Sequence, residues 1–500
     1  MRRSSAASIH ALLNNGFPFS TPLSAHNSCV NALAFSNDGR FLISAGDDLQ
    51  LRLWLFHQDD VCAPGPKCLG PRSNIFTIAI SPSNRYIYSG GTDSIILKYD
   101  ISSPSSLTYR PSDCYTVHQD SVRGITCHPV LDEVILSASE DGSIVRHDGR
   151  ETSTDRSRRR AQNTLQLSAE MTGIDYHPHI DHLFVTSDSR GSVCLHDERM
   201  AFGPLTRRSH NGVVLQYNTR LCEQSSNRMS NPESSSVVFD RNGSRLAVTL
   251  LHYYPTIYTL SDPHPIAILS GNQLPDGSPI HPGERTYSNS CTMKHGTFGG
   301  PGLETDNLYV GGSDDFRGYV WKIPPLSRLL GEREIISPHI WESSSRPGTI
   351  AFTRGRQDDK CVPVQILRPL CRLSGHRSIV NATAVHPYLL HIATAGIERN
   401  VILHSPTPSS PCTQNLTRTP TETRVLSNGS EIDRVTYLRA LRGAPMEGEA
   451  DDPDSATISM FDHILREEGA ANVFDVRPWT GEGSDSDDDD DKDMDSEDEL

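Results

Sequence analysis

No two cysteines in this 500-residue sequence form a Cys-x-x-Cys pair. The eleven present (Cys29, Cys62, Cys68, Cys114, Cys127, Cys194, Cys222, Cys291, Cys361, Cys371 and Cys412) are odd in number and irregularly spaced, which argues against a disulfide framework or a zinc knuckle. Several fall inside apolar runs, where a reduced thiol packs as a small hydrophobe. No apolar run approaches the ~18 residues of a membrane span, and no long apolar stretch of the secretory kind follows Met1 to Ser5. A soluble protein of a reducing intracellular compartment, nucleus or cytoplasm, is expected, with no membrane association. An excess of positive charge is also missing. The net charge is −16, and the last seventeen residues, Ser484 to Leu500, hold eleven acids against one lysine. The rest is close to neutral and offers no basic field for nucleic acid. Apolar residues make up only 36%, below the ~45–50% usual for globular domains, so sizeable parts are expected outside the core.

Catalytic signatures are lacking as well. There is no Gly-x-Ser-x-Gly elbow, no phosphate-binding Gly-x4-Gly-Lys-Ser/Thr loop and no His-Glu-x-x-His helix. Gly296 to Gly302 is glycine-rich but has no strand–turn–helix context, and it reads as a loop. The 21 histidines form no metal-ligand pair at helical spacing. A non-catalytic chain without metal or cofactor is expected.

What is present is a repeat. From His26 to Trp54 the sequence runs His, a short apolar strand (Val30 to Phe35), a turn at Asn37 to Gly39, a second strand (Phe41 to Ser44), a tight turn at Asp47 and Asp48, and a third strand ending at Trp54. The same plan recurs from His118 to His147 and from His376 to His404, with separations of 28, 29 and 28 residues. Weaker copies span Ile75 to Asp100, Thr172 to Asp197, Val237 to Tyr258, and Tyr287 to Trp321. The strand-end positions are then Trp54, Tyr99, His147, His196, Tyr258, Trp321 and His404. The first gaps, 45, 48 and 49 residues, lie just above a ~40–45-residue period, and the later ones, 62, 63 and 83, imply loop insertions.

Between Ser24 and Ser405 this pattern resembles the WD-repeat family. In the first repeat His26, Ser44, Asp48 and Trp54 match that family's buried hydrogen-bonded tetrad, which suits a buried Asp that must be paired. His118, Ser137 and Asp141 match three of the four in the third repeat, with His147 in the Trp place. The fourth repeat departs, with Arg190 where the Asp is expected, and the fifth has no matching Asp. The resemblance implies an all-β fold, a single seven-bladed β-propeller over residues 18–405. Residues 1–17 form an N-terminal segment, and Pro18 to Leu23 supply the closing strand.

Outside the repeats, Ala63 to Pro66, Gln224 to Ser236, 270–286 and 342–362 read as loops, and Arg156 to Arg160 as a basic, solvated one. Ser, Thr, Pro and Gly dominate 406–454, which reads as a flexible linker. Within 455–469, Met460, Phe461, Ile464 and Leu465 at helical spacing predict a short amphipathic helix stopped by Gly469. It either packs on the propeller or binds a partner. Residues 470–500 read as a disordered acidic tail, a solubilising element or a contact for basic proteins, with Ser484, Ser486 and Ser496 among acids.

Two short boxes carry the functional signal: His147-Asp148-Gly149-Arg150 closes the third repeat and His196-Asp197-Glu198-Arg199 the fourth. They resemble the WDxR box of the cullin-four-associated factors, with His in the Trp place. In that family the arginine projects from one face of the propeller onto the ligase adaptor, the damaged-DNA-binding protein's large subunit. The strings Asn289 to Lys294, Gly312 to Phe316 and Gly375 to Asn381 resemble one member of that family in particular. The resemblance implies a substrate receptor of a cullin-four RING ubiquitin ligase. Arg150, Arg199, Asp148 and Asp197 would meet the adaptor, and an unidentified protein substrate would be held elsewhere. The competing expectation is a non-catalytic scaffold in a nuclear, chromatin or RNA-processing assembly.

Overall fold

The computed structural model describes residue 9 and residues 11–474, except 64, 104–105, 151–160, 225–227, 301–304, 344–345, 347, 427–430, 443–451 and 470. The basic run Arg156 to Arg160 and the acidic end from residue 475 onward lie outside the described residues.

Seven sheets, antiparallel except for one outermost parallel strand in each of two of them, form the blades of a propeller. Blade 1 starts at Val30–Phe35, blade 2 at Ile75–Ile80, blade 3 at Val122–Cys127, blade 4 at Met171–Tyr176, blade 5 at Ser234–Phe239, blade 6 at Thr297–Gly299 and blade 7 at Val380–Val385. Each of these strands is innermost and touches the first strand of the next blade, and blade 7 meets blade 1 to close the ring. Every blade then runs outward through three more strands, and blades 1, 5 and 7 add a fourth. Short apolar stretches alternating with turn residues account for this, because each strand buries one face against each neighbouring blade. Trp54, Tyr88, Tyr99, Phe184, Tyr258, Tyr309 and Trp321 are fully buried between blades.

The ring is closed by sequence-distant pairing. Phe19–Ser24 lies antiparallel to Asn400–Ser405 as the outer strand of blade 7, with Phe19 opposite Ser405 and Ser24 opposite Asn400. A free sheet edge is thereby removed. Close approach between blades needs small residues. A Cβ on Gly46 would lie 1.9 Å from the Cys29 carbonyl, and one on Gly396 would lie 1.9 Å from the Ile379 carbonyl. The end of the second strand in blades 1 and 7 therefore presses on backbone where no side chain fits.

The structure corrects several expectations. Residues 224–236 and 342–362 are not simply loops. With Leu221–Glu223, Met229–Ser230 and Ile350–Phe352 pair in an accessory five-stranded sheet, completed by Lys360–Val362 and Glu334–Ile336. It packs Phe352 and Cys361 against Leu221, Tyr253 and Tyr258. These polar-looking insertions were illegible because each contributes only two or three strand residues, too few for any periodicity. Within the glycine-rich stretch that begins at Gly296, Thr297–Gly299 is the inner strand of blade 6 rather than a loop. Gly299 is needed there because a Cβ on it would strike Val385 at 2.5 Å.

The span 406–454 is not wholly a linker. Thr417–Arg418 extends blade 7 beyond Phe19–Ser24, and Glu431–Leu441 is helical. The amphipathic helix starts at Ser455 and ends at Glu468, before Gly469. Residues 471–474, assigned to the tail, pack instead: Phe474 is buried among Tyr217, Val237 and Tyr253. The N-terminal segment also joins the core, with Leu13 and Phe17 against Leu308 and Val320 of blade 6. Among the described residues no helix is long and apolar enough to cross a membrane.

Candidate functional site

Asp148 and Asp197 are the last residues of the third strands of blades 3 and 4, Ser143–Asp148 and Val193–Asp197. Consecutive blades repeat the same strand directions, so both ends emerge on the same face of the ring. At each end the chain turns, and the arginine two residues on folds back onto the aspartate.

The two clamps are near copies. The Asp148 carboxylate accepts from Arg150 backbone N–H at 3.1 Å, Nε at 2.9 Å and Nη2 at 2.8 Å. Asp197 accepts from Arg199 N–H at 2.9 Å, Nε at 3.0 Å and Nη2 at 2.6 Å, and it caps the Glu198–Ala201 helix. The carboxylates are 4% and 10% exposed, whereas Arg150 is 51% and Arg199 69% exposed. Each aspartate thus spends its acceptors on orienting a guanidinium that stands out into solvent. The Arg150 contact holds the Asp148 carboxyl down at about 2, and the Arg199 contact lowers Asp197. Both pairs are therefore ionised throughout the neutral range.

Further residues tie the boxes together, and the sequence reading missed them. Arg146 donates from Nε to Glu198 at 2.5 Å and from Nη2 to Asp148 at 3.3 Å, and the Tyr176 hydroxyl donates to Glu198 at 2.9 Å. A continuous chain of charge-assisted bonds thus runs from the first box to the second. The available signal was Arg146, two residues before Asp148 and so on the same side of the strand. Val130, between the first two strands of blade 3, and Leu205, at the start of the short Leu205–Arg207 3-10 helix after the blade 4 box, are 70% and 78% exposed.

Blade 2 provides a contrast. Asp100 ends its third strand at the same register, but the residue two on is Ser102. Asp100 accepts from Ser102 N–H and Oγ at 3.0 and 2.6 Å, and from Arg85 Nη2 at 2.8 Å, an arginine of the preceding hairpin. There the exposed fork, Arg85 with Nε and Nη2 both on one Asp100 oxygen at 3.1 and 2.8 Å, comes from the preceding hairpin rather than from the residue two on.

The residues behind the boxes are neutral. Burial pushes His147 down to about 3 and His196 to about 4. His147 Nε2 meets Ser137 Oγ at 2.9 Å, and the same hydroxyl meets His118 at 2.7 Å. His196 meets Thr186 at 3.0 Å and stacks on Phe184, ring centroids 4.9 Å apart. In blade 1 the full set is assembled: His26 Nδ1 to Asp48 at 2.9 Å, His26 Nε2 to Ser44 at 2.7 Å, and Trp54 Nε1 donating to Ser44 at 2.9 Å. These chains fix the turn between second and third strands to the incoming loop, on the face opposite the arginines.

On that opposite face the C-terminal helix crosses the ring. Leu465 is buried with Cys29, Phe316, Ile379 and Ile397, with Phe461 alongside.

Comparison with known proteins places these features in context. The family model described as "WD domain, G-beta repeat" matches residues 17–54 and 66–100. The chain is 29% identical, over 451 residues and 89% of its length, to DDB1- and CUL4-associated factor 5 of Mus musculus, and 28% identical over the same extent to that of Homo sapiens. It spans about two fifths (40%) of the length of those relatives. Over a shorter stretch, 26% of the chain and 18% of the relative, it is 32% identical to Protein ALTERED SEED GERMINATION 2 of Arabidopsis thaliana.

Proposed function

The chain belongs to the WD-repeat proteins, and on that footing we propose that it is a non-catalytic substrate receptor of a cullin-four RING ubiquitin ligase, docking on the adaptor DDB1 through Arg150 and Arg199. The observation that carries this reading is the pair of matched Asp–Arg clamps on consecutive blades. Each arginine is half exposed or more, and each is held by a nearly buried carboxylate.

A clamp of this kind suits docking. The side chain is already ordered, so little rotamer freedom is lost on binding. A planar guanidinium offers several donors in one fork, and arginine is enriched among the residues that dominate interfaces. Arg146 and Glu198 couple the two clamps and hold their relative position. Exposed Val130 and Leu205 supply the apolar contact that a purely charged patch lacks. The receptor breaks no bond; by holding adaptor and target together it raises the effective concentration of target beside the ubiquitin-charged enzyme.

The test is a pull-down of purified DDB1 with the wild-type chain and with Arg150→Ala/Arg199→Ala, after cooperative unfolding of the double variant has been verified. Capture by the wild type and loss in the variant is the expected result. Absence of capture by the wild type would remove the receptor role and leave a propeller scaffold of another assembly.

A further inference from the structure

The face opposite the arginine boxes binds a piece of the chain itself, and the contacts there have the make-up of a ligand interface. Arg377, in the loop entering blade 7, holds Asp452 through Nη1 at 2.9 Å and Nη2 at 2.5 Å. Arg399, in the turn between the second and third strands of the same blade, holds Asp454 at 2.9 Å. The Ser455–Glu468 helix follows. Its Leu465 enters the apolar groove formed by Cys29, Phe316, Ile379 and Ile397. Phe461 reaches the mouth of the central channel, where it lines a cavity of about 260 Å³ with Asn31, Arg123, His295 and Asn381. Asp462, only 4% exposed, takes a bidentate Arg424 at 2.6 and 2.6 Å, and Arg424 Nε donates to the Arg377 carbonyl at 2.9 Å. The guanidinium groups of Arg285 and Arg424 lie over the Phe316 ring, at 4.7 and 4.8 Å.

Two features separate this contact from ordinary core. First, the ring is complete without it: every blade has its four strands, and Phe19–Ser24 closes the circle. Second, the anchoring arginines are rim residues. Arg377 is 49% exposed, and the apolar contact with the ring comes mainly from Phe461 and Leu465, while Ser459, Arg466 and His463 of the same helix meet Asp433 and Tyr437 of the Glu431–Leu441 helix. A helix laid in a groove with charged anchors at its start is a recurring mode of recognition between separate proteins, and charge complementarity of this kind selects the partner more than it adds affinity.

We propose that this face is a recognition site for an acidic amphipathic helix of a partner protein, with the pattern Asp-x-Asp followed by Phe-Asp-x-x-Leu. The chain's own 452–468 segment occupies the site as a displaceable ligand. Held in cis at an effective concentration on the order of millimolar, it excludes weak competitors and yields to a helix that matches the groove better. The site shares no residue with the arginine boxes, so its failure leaves the proposed docking role intact and failure of that role leaves this site intact.

The experiment uses a fluorescein-labelled peptide of residues 452–469 and fluorescence anisotropy against two proteins: the full chain and the full chain carrying Phe461→Asp/Leu465→Asp. The peptide is expected to bind the variant at least tenfold more tightly than the wild type. Addition of Arg377→Glu/Arg399→Glu to the variant is expected to abolish the gain. Equal affinity for wild type and variant overturns the proposal. So does a variant that no longer unfolds cooperatively, since the helix would then be part of the fold. Asp452→Ala/Asp454→Ala/Asp462→Ala, which leaves the apolar contact in place, gives a second measure: tighter peptide binding than wild type supports displacement, and unchanged binding opposes it.

Discussion

The two faces of the ring both present arginines held by aspartates, but the partners come from different distances along the chain. On the face of the boxes, Arg150 and Arg199 are held by residues two positions earlier. On the other, Arg377 and Arg399 are held by Asp452 and Asp454, 75 and 55 residues later. A local clamp orients a guanidinium and leaves it facing outward. A long-range clamp ties the guanidinium to another segment of the chain. The first kind of face is built to meet something outside the chain, and the second already holds a segment of its own.

The largest expected effect breaks the first face. Arg150→Ala/Arg199→Ala should weaken DDB1 binding by about 100-fold or more, or ~3 kcal/mol, the scale of a pair of interface hot spots. Biolayer interferometry would measure it, and a loss under threefold would remove the boxes from the interface. Peptide binding on the opposite face should not change.

A second substitution acts on blade 1, away from both boxes. Ser44→Ala removes the hydroxyl shared by His26 and Trp54 and leaves buried groups unpaired. The cost should be about 1–3 kcal/mol in chemical denaturation, and an unchanged midpoint would show that blade 1 is not held by its tetrad.

Acid should sharpen the contrast between the blades that carry His and the two that carry Trp at the strand-end position. Burial lowers His147 and His404 to about 3 and His196 to about 4, from 6.5. The unfolded chain therefore takes up these protons below about 6.5 while the folded one refuses them until pH 4 to 3. Stability is full above 6.5, falls across that window by up to about 1.4 kcal/mol per histidine for each pH unit, and levels off beneath it. His147→Trp should flatten the dependence of the denaturation midpoint between pH 6.5 and 4.5. An identical slope would mean that this histidine is already protonated in the fold.

The smallest effect belongs to blade 2. Arg85→Ala frees Asp100 of an exposed partner and should leave both the denaturation midpoint and DDB1 binding essentially unchanged. A loss of binding comparable to the box variant would extend the interface to a third blade.

What could be read in advance follows the same division by distance. The sequence by itself determined the number of blades, the polarity of each hairpin, the blade 1 chain of His26, Ser44, Asp48 and Trp54, and the two boxes. All of these rest on spacings within one repeat, where strand alternation and turn chemistry fix which residues meet. Only the tertiary structure decided that 221–230 and 334–362 share an accessory sheet, that Arg146 and Glu198 join the boxes across two blades, and that the helix with Phe461 and Leu465 lies on the ring. Those pairings form between segments up to a hundred or more residues apart. Their partners are selected by which surfaces the closed ring brings together, and no local periodicity in the chain encodes that choice.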